Sequence, residues 1–241
     1  MAAPDPPPPE PPPFPASAFP ARAVTLFTGQ ALACRRGDRL VFRRLGFALE
    51  PADALILSGP NGSGKSSLLR LMAGLLPAFS GTLRWAGEAV AQDPAAHRAR
   101  LHLVGHQDAV KPVFTVAETV SFWAGLRGAG PGTAAAAIER FGLGALAEAP
   151  CRFLSAGQKK RLSLTRLLAS KAPLWLLDEP TTGLDAASTR NLETVLAEHR
   201  QAGGIVIATT HIPLALDGAQ TVSLADYTPS RSEAASFLGE L

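Results

Sequence analysis

Three stretches of this chain carry residue types that could act on a phosphate chain. Gly59-Pro60-Asn61-Gly62-Ser63-Gly64-Lys65-Ser66 fits the pattern GxxxxGK[ST], and Ser67 follows it. Glycines let successive backbone N–H groups curl around phosphate oxygens without side-chain collisions. A helix opening near Lys65 adds unpaired N–H groups and the positive end of its dipole. Lys65 is expected to reach the β- and γ-phosphates, and the Ser66 hydroxyl to ligate Mg²⁺. The pattern has meaning only between a strand and a helix. Ala54–Ser58 is a short apolar run that reads as a buried parallel strand. Ser66–Leu76 carries Leu68, Leu69, Leu71, Met72, Leu75 and Leu76 at helical spacing, with Pro77 as its stop.

The second stretch is Leu174-Trp175-Leu176-Leu177-Asp178-Glu179. Four apolar residues make a buried strand, and two carboxylates follow at its carboxyl end, where open parallel sheets bind ligands. Alone, the pair reads equally as a solvated turn leading into Pro180. Beside a phosphate loop, Asp178 is placed to hold Mg²⁺, directly or through water. Glu179 is then the general base or polariser of an attacking water. The third stretch is Leu154-Ser155-Ala156-Gly157-Gln158, opening an apolar-periodic helix. Ser155 can cap that helix while presenting its hydroxyl to an anion, and Gly157 lets backbone approach phosphate. By itself this is an ordinary helix start. Lys159-Lys160-Arg161 reads as a solvated or lipid-facing surface rather than a nucleic-acid patch.

These stretches need a scaffold. Ala23 to Leu49 alternates apolar runs with turn signals such as Arg36-Gly37-Asp38, a pattern of strands and hairpins. Leu83–Trp85 and Leu101–Val104 are further strands. Val116 to Arg152 is Ala-rich and helical, broken at residues 128–132 and 142–144. Alternation then resumes with helix Gln158–Ser170, strand Leu174–Leu177, helix Ala187–Gln201 and strand Ile205–Thr209. Such alternation predicts an α/β fold with a parallel sheet and crossover helices. The chain has 241 residues and is 46% hydrophobic, enough for a substantial core. Its net charge of +3 is too mild to argue for nucleic acid. Cys34 and Cys151 lie far apart, which argues against a disulfide framework or zinc site and for a reducing compartment. No apolar run reaches the length of a membrane span, and no secretory signal is visible. Residues 1–22 are Pro-rich and expected to be disordered or polyproline II. They read as a tail, a docking peptide or a start codon placed too early.

The order of these elements resembles an ABC-type ATPase: the glycine loop, Gln107 after a strand, LSxGQ, the acidic strand end, Gly183-Leu184-Asp185, then Thr209-Thr210-His211. The resemblance spans about Ala23 to Leu224. It implies a P-loop NTPase fold with a mixed or parallel sheet core, an N-terminal antiparallel β subdomain and a helical insertion at about residues 108–157, all within 23–228, and a short tail at 229–241. It also implies that ATP and Mg²⁺ are bound by two copies paired head to tail, each ATP lying between one P-loop and the partner's Ser155 to Gly157. Gln107 would then link the metal and attacking water to the helical part. Asp185 would meet the opposite subunit at the nucleotide site, and His211 would meet the γ-phosphate.

Within the family, Leu103 to Pro112, Phe122-Trp123-Ala124, Leu154 to Arg161, Leu174 to Pro180 and Thr209 to Leu214 resemble the ATP-binding subunits of cytochrome c maturation haem exporters. That implies peripheral attachment to the cytoplasmic face of a bacterial inner membrane, integral-membrane partner subunits, no nucleic acid, and haem handled only through those partners. His102 and His106 lack haem-attachment spacing and read as structural. Subunits for another cargo, soluble ABC ATPases on ribosomes or DNA, and small-molecule kinases are the competing classes. The LSxGQ element and His211 argue against the last.

Three positions depart from the family pattern. Ala156 stands where Gly is usual, which is tolerable unless that position needs φ > 0. Ala52-Asp53 replaces Gly-Glu before the P-loop strand. Arg36 stands where an aromatic ring stacks on adenine, so either its guanidinium or nearby Phe42 would hold the base. Finally, Val110, Pro112, Val113, Phe114, Phe122 and Trp123 crowd a short segment. They form either a docking surface for the membrane partner or part of the helical core.

Overall fold

In the computed structural model, residues 26–105 and 109–229 are described. The Pro-rich segment, the expected C-terminal tail beyond residue 229, and His106 and Gln107 lie outside them. The chain opens with a long hairpin, β1 (Phe27–Arg36) and β2 (Arg39–Leu49). Strand β3 (Ala54–Ser58) leads to helix α1 (Lys65–Met72). Then come β4 (Ser80–Trp85), β5 (Glu88–Ala89), α2 (Pro94–Ala99) and β6 (Leu101–Val104). The helical stretch holds α3 (Val116–Gly125), α4 (Thr133–Arg140) and α5 (Ala156–Ala169). Strand β7 (Leu174–Asp178), α6 (Ala186–Gln201), β8 (Ile205–Thr209) and β9 (Gln220–Ser223) complete the order.

These strands form two sheets. One is antiparallel, in the order β2-β1-β4-β5; the other is parallel, in the order β6-β7-β8-β3-β9. The period-2 alternation of strands sorts the parallel sheet's side chains onto two faces. Leu55, Leu57, Leu174, Leu176, Ile205 and Ile207 join α1 and the antiparallel sheet in one core. Trp175, Leu177, Val206 and Ala208 pack on the opposite face with Leu164, Leu192 and Leu196. A third cluster, with Val116, Val120, Ile138 and Leu162, holds α3, α4 and α5 together.

Helix α1 ends earlier than its periodicity predicts. Gly74, at φ +67°, breaks it before Pro77, and Leu75 is left exposed outside the helix. The docking segment also divides. Val113 and Phe122 are 70% and 55% exposed, whereas Trp123 is buried in the helical cluster under the Arg166 guanidinium. Trp123 is therefore core, because α3 turns that face toward α5. The basic triplet is not a solvated face either. Lys160 is buried, and Arg161 ties α5 to the end of α4 through the carbonyls of Phe141 and Gly142. Both cysteines are free and buried. Among the described residues no helix is long and apolar enough to cross a membrane.

Candidate functional site

The glycine loop runs from the end of β3, the strand between β8 and β9 in the parallel sheet, into α1. Gly64 occupies the N-cap at φ +104°, and a Cβ there would collide with Val41 Cγ1. Only glycine fits, on grounds of both dihedral and space. The Lys65 ammonium is largely buried and donates to the carbonyls of Gly59 (2.8 Å) and Pro60 (3.1 Å), so it stretches back along the loop. Ser63 Oγ is buried without a hydrogen-bond partner.

Two strands away, β7 ends in Asp178 and Glu179. Parallel pairing sets Asp178 opposite Thr209 at the end of β8. The Thr209 hydroxyl donates to Asp178 Oδ1 at 2.8 Å and accepts from the Glu179 N–H at 2.9 Å. Glu179 sits at φ +50°, a left-handed conformation costing an L-residue roughly 1–2 kcal/mol, and the Thr209 contact holds it there. Its Oε1 is buried with no hydrogen bond and lies 3.3 Å from His211 Nε2. That nitrogen donates to Asn61 Oδ1 of the glycine loop at 3.0 Å. Asn61, Gly62, Gly64, Lys65, Ser66, Ser67, Asp178, Glu179 and His211 thus line one open cleft of about 630 Å³. Ser66 and Asp178 also line an adjoining cavity of about 590 Å³ reaching Gly105, Ser163 and Arg166.

The third stretch lies elsewhere. Ser155 caps α5, its hydroxyl accepting from Gln158 N–H while the Gln158 side chain accepts from Ser155 N–H. Ser155 and Gly157 line neither cavity beside Lys65. Gly157 has a reason inside its own subunit, since a Cβ there would stand 2.9 Å from the Gly183 carbonyl oxygen. Asp185 caps α6 and lines neither cavity. The Ser188 N–H on its Oδ1 holds its carboxyl below the usual range. Ala156 opens α5 without positive φ, so its methyl is accommodated, whereas Ala52 takes the left-handed conformation at φ +72°. Phe42 is fully buried and cannot meet a nucleotide base; Arg36 lines the cleft. His102 is a buried core residue whose Nε2 bonds the Ser170 carbonyl.

Sequence reasoning missed Thr209 as a site residue, along with Arg39, Val41, Thr182 and Ile212 in the cleft wall. The two-residue turn after Arg36 was the available signal for Arg39, because it sets those two residues opposite each other. No single stretch of residues carries the β7–β8 register that pairs Thr209 with Asp178.

Comparison with known proteins agrees with this geometry. The ABC transporter family matches residues 42–182. A cytochrome c biogenesis ATP-binding export protein, CcmA, from Rhodospirillum rubrum is 52% identical over 226 residues, covering 94% of this chain and 97% of the relative. Its counterpart from Paramagnetospirillum magneticum is 57% identical over 202 residues, covering 82% and 93%. Among solved structures, an ABC transporter ATP-binding protein from Pyrococcus furiosus superposes with a TM-score of 0.74 at 21% identity, covering 84% of this chain and 99% of that one. The ATP-binding subunit of another ABC transporter gives 0.71 at 22% identity, covering 78% and 80%. The chain belongs to the ABC transporter family of ATP-binding proteins, and within it to the group of cytochrome c biogenesis ATP-binding export proteins.

Proposed function

We propose that this chain hydrolyses ATP as the peripheral subunit of an exporter serving cytochrome c maturation, with haem or a haem-loaded carrier as the cargo of its membrane partners. The observation carrying this reading is the convergence of Lys65, Ser66, Asp178, Glu179 and His211 on one cleft. Glycine-loop N–H groups and Lys65 bind the phosphates and stabilise charge on them. Glu179 accepts the proton of the attacking water, its carboxylate aimed by the left-handed backbone that Thr209 secures. His211 Nε2, held by Asn61, turns its N–H from Asn61 to the γ-phosphate when ATP binds.

The donor set fits Mg²⁺, which prefers oxygen ligands and usually retains several waters. Ser66 Oγ and Asp178 would hold it, since Asp178 Oδ2 makes no hydrogen bond among the described residues; Gln107 is assigned by family resemblance alone. When bound, the ion neutralises charge on the β- and γ-oxygens.

Ser155 and Gly157 stand apart from their own subunit's cleft, which supports a head-to-tail homodimer in which each signature stretch closes the other copy's site. Membrane attachment is assigned to a groove between α3 and the parallel sheet. Leu75, Phe122 and Leu126 rim it, each more than half exposed, and Arg98, Arg127 and Arg166 line it. A helical segment of an integral-membrane subunit docks there, on the cytoplasmic face of a bacterial inner membrane.

The test is purification of the chain from native membranes, as wild type and as Glu179→Gln. Both should bring down the same integral-membrane subunits and bind ATP. Hydrolysis by the variant should drop about 10²- to 10⁴-fold, the usual contribution of a general base, and holocytochrome c should fail to accumulate. A drop below tenfold would remove Glu179 from its role. Recovery without any integral-membrane protein would remove the transport assignment.

A further inference from the structure

The groove rimmed by Leu75, Phe122 and Leu126 carries a charge that its apolar rim does not explain. It encloses about 480 Å³ and is lined by Arg98 of α2, Arg127 just beyond α3 and Arg166 of α5. None of the three meets a carboxylate among the described residues; their partners are carbonyls. Arg127 donates to the carbonyls of Arg98, Ala99 and Leu101, which ties it to the end of α2. Arg98 donates only to the Gly74 carbonyl at 3.1 Å, and Arg166 only to the Leu103 carbonyl at 3.3 Å. A guanidinium has five N–H donors and no acceptor, so most of those on Arg98 and Arg166 remain free. The Arg166 guanidinium is also held over the Trp123 ring, 4.5 Å from its centroid, which fixes its place in the wall. Burial, and after it the charge of Arg127, holds Arg166 below the usual arginine range. Carbonyl dipoles offset part of this crowding of like charge, and among the described residues no anion offsets the rest.

The occupant of such a groove has to bury apolar surface and bring negative charge together. A free phosphate or a nucleic-acid backbone would leave Leu75, Phe122 and Leu126 wet, each of them more than half exposed. A wholly apolar helix would strip water from the guanidiniums without replacing it, which is costly for a charged group. We infer that the segment docking here is an amphipathic helix bearing at least one Asp or Glu, whose carboxylate pairs with the free donors of Arg98 and Arg166 while apolar residues a turn away cover the rim. The inference rests on the docking reading above and deepens it by giving the partner's chemistry. Apolar anchors supply the burial, and the charge pair sets the register of the helix in the groove.

The test is made on the full-length chain in native membranes with the variant Arg98→Lys, which keeps the charge and adds an amine. Arg98 is exposed, so the fold should be kept. A carbodiimide joins an amine directly to a carboxylate as an amide, with no spacer. Mass spectrometry should then find position 98 linked to an Asp or Glu of an integral-membrane subunit, a link absent from the wild type. A link only to carboxylates of this chain, Asp108 included, overturns the inference, because the groove would then supply its own counter-charge. Charge reversal by Arg98→Glu should lower recovery of the integral-membrane subunits at least about tenfold, with an unchanged melting curve, since like charges brought together cost several kcal/mol. Wild-type recovery by that variant, alongside release by Phe122→Asp, would mean that the groove docks an apolar segment without a carboxylate, and the inference would fall while the docking reading stands. Recovery of no integral-membrane protein by the wild type would instead overturn the docking reading itself.

Discussion

Thr209→Val replaces one oxygen by a methyl of nearly the same shape in a fully buried position. Two hydrogen bonds disappear at once: the donation to the Asp178 carboxylate and the acceptance from the Glu179 N–H. A bond to a charged acceptor is worth about 1.5–3 kcal/mol, and leaving a buried N–H unpaired costs about 1–3 kcal/mol. Part of this is offset by burying the added methyl, at about 0.8 kcal/mol. The net loss should be about 3 kcal/mol, which lowers Tm by about 6–12 °C in a domain of this size. The functional effect should be larger than the loss of fold. Without its anchor, Glu179 can leave φ +50° for an ordinary conformation and swing its carboxylate off the attacking water. Turnover by folded protein at 20 °C should therefore fall at least about tenfold. Affinity for ATP should stay within about threefold, because the glycine loop is untouched. Thr209→Ser keeps the hydroxyl and should recover turnover, losing only about 1 kcal/mol for the missing methyl. Measured together, Tm, nucleotide binding and kcat decide the matter. A Val variant that hydrolyses ATP at the wild-type rate would show that Thr209 does not position Glu179.

Four further outcomes follow from single residues. Ala52 at φ +72° is strained, so Ala52→Gly should stabilise the chain by about 1 kcal/mol and raise Tm by about 2–4 °C in calorimetry; a lower Tm refutes this. Burial pushes the His102 pKa from 6.5 down to about 4, so the folded state favours the neutral ring. Its contribution is complete above pH 6.5 and is lost as pH falls toward 4, at most roughly 3 kcal/mol. Denaturant titrations at pH 7 and pH 4.5 should show this loss, and His102→Gln should flatten it. Burial depresses the His97 and His199 pKa values as well, so a shallower slope should remain. Trp123→Ala should cost about 3–5 kcal/mol as a core truncation. Phe122→Asp, on the exposed rim of the groove between α3 and the parallel sheet, should leave Tm unchanged and release the chain from membranes in a flotation assay. Retention of the folded Phe122 variant on membranes would overturn the groove assignment.

Much of this protein is determined by the order of its residues. The glycine loop, the acidic pair after four apolar residues, and the capping serine before an apolar-periodic helix each announce a local geometry. Local geometry is what backbone sterics and capping dictate over a few residues. The strand runs at Ala54–Ser58, Leu174–Asp178 and Ile205–Thr209 were legible for the same reason, and their alternation with helices required a parallel sheet. The tertiary structure decided which strands become neighbours. Strand β9, the short run Gln220–Ser223, has a single apolar residue, Val222, too little to mark a strand, and becomes one because β3 offers it an edge. Trp123 and Phe122 are adjacent and similar in chemistry, yet one is core and the other is surface, because the packing of α3 against α5 selects a single face. Thr209 stood in a motif beside His211 with nothing to mark it. It became the clamp on Asp178 and Glu179 only when hydrogen-bond register set it across from a strand 31 residues away in sequence. Register is a property of two strands at once, fixed by burying both faces of the sheet together, and no single stretch of sequence contains it.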